Sequence, residues 1–205
     1  MRNTLLAILT FIGLLTLQTS AKAQAKYNYQ SQQKLLPAEL GTVFMGMDIK
    51  TFSQKIKITA ADVEDQFEEL TLDIPFEKNN IKKLSVKFTG LTAEQKAALV
   101  KTEKVTETDG YEREVKRISV AALKTIGKLY EIDIFYKEGF DLKKYVSIKY
   151  GKPSDVYKQG DQYHIFDMQW TKVSADKLTW LIRYHEETKV LQLAGLVPGS
   201  EWDNN

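Results

Sequence analysis

Leu70-Thr71-Leu72-Asp73-Ile74-Pro75-Phe76, a polar Glu77-Lys78-Asn79-Asn80, then Lys83-Leu84-Ser85-Val86-Lys87-Phe88: apolar and polar side chains alternate on both sides of a turn-like tetrapeptide. Successive side chains of an extended chain point to opposite faces, so this stretch predicts a β-hairpin with one apolar face and one wet face. The pattern returns near the carboxyl end. Phe166, Met168 and Trp170 alternate with Ile165, Asp167 and Gln169, while Leu178, Trp180, Ile182 and Tyr184 alternate with Thr179, Leu181 and Arg183. A last strand is predicted over Val190 to Ala194.

Each sheet-like stretch follows a helical one, and the two helical stretches match at an offset of 93 residues. Gly46-Met-Asp48-Ile-Lys50-Thr-Phe52 aligns with Gly139-Phe-Asp141-Leu-Lys143-Lys-Tyr145, and the match continues ungapped to Asp62-Val63 and Gln66 against Asp155-Val156 and Gln159, with 6 of 21 positions identical. Asp48 and Asp141 stand where a carboxylate can accept from the free backbone donors of a first helical turn. Behind them Ile49, Phe52 and Ile56, or Leu142, Tyr145, Val146 and Tyr150, recur at helical steps, and Gly151 with Pro153 supplies a stop. The match running past the helix points to duplication.

Between the copies, Thr92-Ala-Glu-Gln95 has the form of a capping box opening a helix to about Val100, and Asp109-Gly110 that of a hairpin turn. Residues 115–126 are open to two readings. Val115, Ile118, Ala122 and Leu123 fit a helix, whereas Gly127-Lys128 fits a two-residue turn that would set Lys124 opposite Glu131 and Leu123 opposite Ile132. The hairpin is the reading adopted here. The expected architecture is α+β, two related helix-plus-antiparallel-sheet repeats with helices on one side of the sheet. The divisions are residues 1–23, an extension over 24–40, a first repeat over 41–133 and a second over 134–205.

Residues 1–23 carry Arg2, an apolar run from Leu5 to Leu17 and Ala21-Lys22-Ala23, the order of a secretory signal with cleavage before Gln24. A run of 13 residues is shorter than the ~20 a spanning helix needs. The expectation is export to the periplasm or the exterior, with no transmembrane segment in the mature chain. Without Arg2 and Lys22, 27 basic and 27 acidic side chains remain, which speaks against nucleic acid as a partner. The chain has no Cys, so an exported fold would depend on its core rather than on disulfides.

Catalytic motifs are sparse. Cys nucleophiles are excluded, His164 and His185 are the only imidazoles, and neither adjoins a Gly-x-Ser-x-Gly turn. His164, Asp161 and Asp167 could be drawn as metal ligands, but strand alternation sets Asp167 on the opposite face from His164. No phosphate loop or dinucleotide fingerprint occurs, so no cofactor is expected. Paired carboxylates leave no local signature; the doublets Glu68-Glu69 and Glu186-Glu187 are the visible candidates. The feature singled out is the sheet face turned away from the helices. Phe135, Tyr163, Ile165, Leu181 and Arg183 are assigned to it, an aromatic and Arg-bearing set too apolar for bulk water, to be covered by protein or used to bind it.

Gly46-Met-Asp48, Gly139-Phe-Asp141, Gly151-Lys-Pro153, Trp170 and Trp180 together describe a helix, a Gly-x-Pro stop and meandering strands bearing Trp, given twice. This resembles the tandem-repeat β-lactamase-inhibitor-like proteins and the related small outer-membrane-assembly lipoproteins. The first copy lacks the Gly-x-Pro, and the Cys residues of both groups are missing. The resemblance implies a binding module on a helix-plus-sheet scaffold and carries over no functional residue. The expected function is therefore an exported, non-catalytic protein-interaction module. The alternatives are a carboxylate-dependent hydrolase of envelope glycans, which needs a cleft with close acidic groups, and an apolar small-ligand carrier, which needs an enclosed apolar cavity.

Overall fold

The 70–88 stretch forms the predicted hairpin in the structure, a computed structural model that describes residues 27–58, 61–64, 69–106, 108, 110–118, 123–157 and 165–203. Strands β2 (Leu70–Lys78) and β3 (Ile81–Thr89) pair antiparallel through Leu72 with Val86 and Ile74 with Leu84, and Asn79 turns the chain at φ +53°. An irregularity between Pro75 and Lys78 interrupts the register. Proline has no N–H for the ladder, so a break beside it costs little.

One ten-stranded antiparallel sheet contains this hairpin, together with a few short helices. The other strands are β1 (Asp62–Glu64), β4 (Val100–Thr106), β5 (Glu112–Ile118), β6 (Lys128–Tyr136), β7 (Asp155–Val156), β8 (Met168–Val173), β9 (Thr179–His185) and β10 (Val190–Gly195). Their spatial order is β4-β5-β1-β2-β3-β6-β10-β9-β8-β7. The core lies on one face, where Leu72, Val86, Ile132, Leu193, Ile182 and Trp170 form a continuous cross-strand row.

Helices α1 (Tyr29–Gln32), α2 (Ile49–Ile56), α3 (Ala93–Leu99) and α4 (Leu142–Tyr150) are short and depend on caps and packing more than on length. Asp48 accepts from the Thr51 backbone N–H at 2.9 Å, and Asp141 from that of Lys144 at 3.0 Å. α2 sets Phe52 edge-on against Phe88, and α4 sets Tyr150 beside Trp170. Both ring pairs lie on the apolar face, because Phe88 stands two residues from Val86 on β3 and Trp170 is itself a member of the core row. The Thr92/Gln95 capping box opens α3 as its spacing predicts. Asp48→Ala and Asp141→Ala should each cost about 1 kcal/mol in urea denaturation, the usual cost of a lost N-cap. No loss in either variant would show that the caps are not what holds these two helices.

Two readings of the sequence are corrected. Gly127-Lys128 is not a hairpin turn, because both edges of β6 are already paired: Ile132 sits between Val86 and Leu193, not opposite Leu123. Glu131 does face a lysine, but it is Lys87. Within 115–126, residues up to Ile118 belong to β5, which pairs with β4, and 119–122 lie outside the described residues. Phe166, expected on the apolar face with Met168, precedes β8 and lies over Arg183 instead.

Candidate functional site

The second face of the sheet is built by the alternate residues of the same strands, and it is not the apolar surface expected. Its central row reads Asp62, Asp73, Ser85, Asp133, Gln192, Arg183, Gln169 and Asp155 across eight strands. Each position is set by alternation from a core residue, so a polar row follows directly from an apolar one. The row on one side of it carries Thr71, Lys87, Glu131, Ala194, Leu181 and Thr171, and the row on the other side Pro75, Lys83, Phe135, Val190 and His185.

Three of the five residues singled out from the sequence share this face, one in each row: Phe135, Leu181 and Arg183, all partly exposed. Lys83 places its ammonium 4.9 Å from the Phe135 ring centre and also pairs with Asp73. Arg183 donates to Gln169 at 2.8 Å and Gln192 at 3.3 Å, and its guanidinium lies 5.2 Å from the Phe166 ring and 4.8 Å from Trp202. A planar cation close to two aromatic rings is held in place while its edge stays available for hydrogen bonds. Ile165 is 72% exposed in the bend before β8, outside the strand rows. Tyr163, with His164 and Asp161, lies outside the described residues.

Beside Arg183 is a charge cluster of which the sequence reading saw little. Glu131 is 1% exposed and meets Lys87 at 3.0 Å; Lys87 also meets Glu201 at 3.0 Å. The Trp202 indole donates to Glu131 at 2.6 Å, and the Tyr130 hydroxyl donates to Glu69 and, at 3.3 Å, to Glu201. Burial, the nearby Glu201 and then Glu131 push the Glu69 carboxyl up to about 7 against the pull of Lys87. Burial and Glu131 likewise raise Asp133. Burial opposes the charge on Lys87, yet Glu131 and Glu201 raise its pKa above the ordinary value. Two signals in the sequence pointed here: Glu131 and Asp133 alternating with the core residues Ile132 and Ile134, and a lone Trp202 in a polar tail.

No family model matches the chain. No curated protein matches it in sequence, and no solved structure matches it.

Among the described residues no three His, Asp or Glu side chains converge as a metal site, and no helix is long and apolar enough to cross a membrane. His185 accepts at Nδ1 from the Thr188 backbone N–H at 3.1 Å, which closes the β9–β10 turn. A cavity of about 410 Å³ opens between β1 and the β4–β5 arm. Asp62, Arg113, Glu114 and Lys116 line it with Val63, Thr102 and Val115, a polar wall unlike that of an apolar carrier.

Proposed function

We propose that the chain is an exported, non-catalytic interaction protein that presents the second face of its sheet to another protein in the periplasm or outside the cell. The observation that supports this is the mixed composition of that face: Phe135, Leu181 and the ring-stacked Arg183 in adjacent rows, each partly exposed, on a sheet whose opposite face is fully occupied by core. Aromatic and Arg groups on a rigid platform are what protein interfaces enrich, and strands hold them without loss of loop entropy on binding. Export rests on the order of residues 1–23.

Duplication is part of the same reading. Apart from α3 and the β4–β5 arm, the order outward from the centre is β6-β3-β2-β1 on one side and β10-β9-β8-β7 on the other. Each set of four includes strands preceded by a helix with an Asp cap, and the aligned pair Asp62 and Asp155 begins β1 and β7. The duplicated units then meet at the β6–β10 pair, across which Ile132 faces Leu193.

The hydrolase reading also has one observation in its favour, the close carboxylates Glu69, Glu131 and Glu201 with Glu69 held near neutrality. Trp202 covers Glu131, however, so a glycan would reach that carboxylate only after the tail had moved. A photo-crosslinking residue placed at Phe135, and separately at the 76% exposed Ile148 on α4, tests the binding reading in the producing cell. The expected result is a discrete protein adduct from position 135 and none from 148. Equal labelling from both positions, or no adduct from 135, would count against a specific partner on this face.

A further inference from the structure

The tail that crosses the sheet face is held by charge rather than by apolar packing alone. After β10 the chain folds through Ser200, which donates its N–H to Val197 at 3.0 Å, into the turn Glu201–Asp203. Gly199 donates to the Asp203 carboxylate at 2.9 Å, and Thr89 donates to the Gly199 carbonyl. The contacts that reach into the sheet are Glu201 with Lys87, Trp202 with Glu131, the Arg183 guanidinium over the indole, and the Glu201 backbone N–H donating to Glu69. Glu69 and Glu201 thus touch each other's groups and both accept from Tyr130. Two carboxylates drawn together on one hydroxyl repel when both are ionised.

We infer that Val197–Asp203 is a proton-controlled strap, seated on the sheet face while the Glu69 carboxyl beside Glu201 is protonated and released when it ionises. The groups facing this contact, among the described residues, are Lys87 from β3, Tyr130, Glu131 and Asp133 from β6, and Arg183 from β9. Asp203 on the strap itself faces Tyr27 from the amino-terminal segment. Lys87 and Arg183 are the two cations against Glu69, Glu131, Asp133 and Glu201. Loss of the Glu69 proton to solvent therefore adds negative charge to a site already in excess of it. The seat is also imperfect: the buried hydroxyls of Ser200 on the strap and Thr71 on the sheet have no hydrogen-bond partner among the described residues, and opening would let water satisfy them. The Glu69 carboxyl, held up to about 7 by burial and then by Glu201, places the change near neutral pH.

The intact protein carries its own reporter. Of its three tryptophans, Trp170 and Trp180 are 0% exposed, so acrylamide quenching reads Trp202. From about pH 5.5 to about pH 8.5 the quenching constant should rise several-fold in one transition, with unchanged far-ultraviolet circular dichroism. Glu69→Gln, which keeps a neutral hydrogen-bonding group, should remain weakly quenched throughout, and Trp202→Phe should remove the transition. A flat profile in the unmodified protein, a transition that persists in Glu69→Gln, or one that persists in Trp202→Phe would each overturn the strap. The measurement needs no partner, so its failure leaves the binding reading to its own test.

Discussion

Lys87→Met should lower the unfolding free energy by about 3 kcal/mol at neutral pH, the scale of a buried ion pair broken from one side. Lys87 is three-quarters or more shielded and is the ammonium facing Glu131, whose carboxylate is 1% exposed. Methionine keeps much of the stem's volume, so the loss reports charge rather than a cavity. Glu131 would then retain the Trp202 indole as a donor and no neighbouring cation at 3.0 Å. Adding Glu131→Gln should restore most of the stability, because an amide without a cation costs far less to bury than a carboxylate. Urea denaturation of the two variants decides this, and a single variant within 0.5 kcal/mol of the unmodified protein would show that the pair is solvated.

The pH dependence of this loss has a definite sign. Burial holds Glu69 and Asp133 above their ordinary values in the folded protein, so between those values and about 7 the folded state binds more protons than the unfolded state. Stability therefore falls as pH rises through that window, the reverse of an ordinary salt-bridged carboxylate. Removing Lys87 takes away the nearby positive charge that lowers both groups, so the deficit of Lys87→Met should shrink toward pH 5 and be largest above pH 7.

The parts of the fold that were legible in the sequence are those settled by near neighbours. Asp48 and Asp141 cap helices because their partners lie three residues on, and the hairpin follows from alternation about Asn79-Asn80. Strand identity in 112–118 was obscured because Val115 and Ile118 are both buried although an odd step puts them on opposite sides of a strand, which imitates helical spacing. The lysine that pairs with Glu131 could not be read locally. It lies 44 positions away and is brought there by the β3–β6 register, whereas Lys124 was near in sequence only. The same register put Phe135, Leu181 and Arg183 on one face, which alternation did predict, and filled the central row of that face with polar groups, which it did not. Trp202 joined them through a tail whose path no periodicity encodes.

Leu181→Asp is the most direct test of whether this face is a binding surface. Leu181 lies between Ala194 and Thr171, partly exposed, two residues from Arg183 on the same side. If the face is open for a partner, a carboxylate there stays hydrated and the thermal midpoint of the isolated protein should move little, equivalent to under about 1 kcal/mol. Loss of an apolar contact at the centre of an interface together with a buried charge should cost about 2 kcal/mol or more in binding, on the order of thirtyfold. The adduct formed from the Phe135 crosslinker should accordingly disappear in the Leu181→Asp background while the melt is retained. An unfolded or strongly destabilised variant would show that Leu181 is internal, and an adduct of undiminished yield in a stable variant would contradict the assignment of this face.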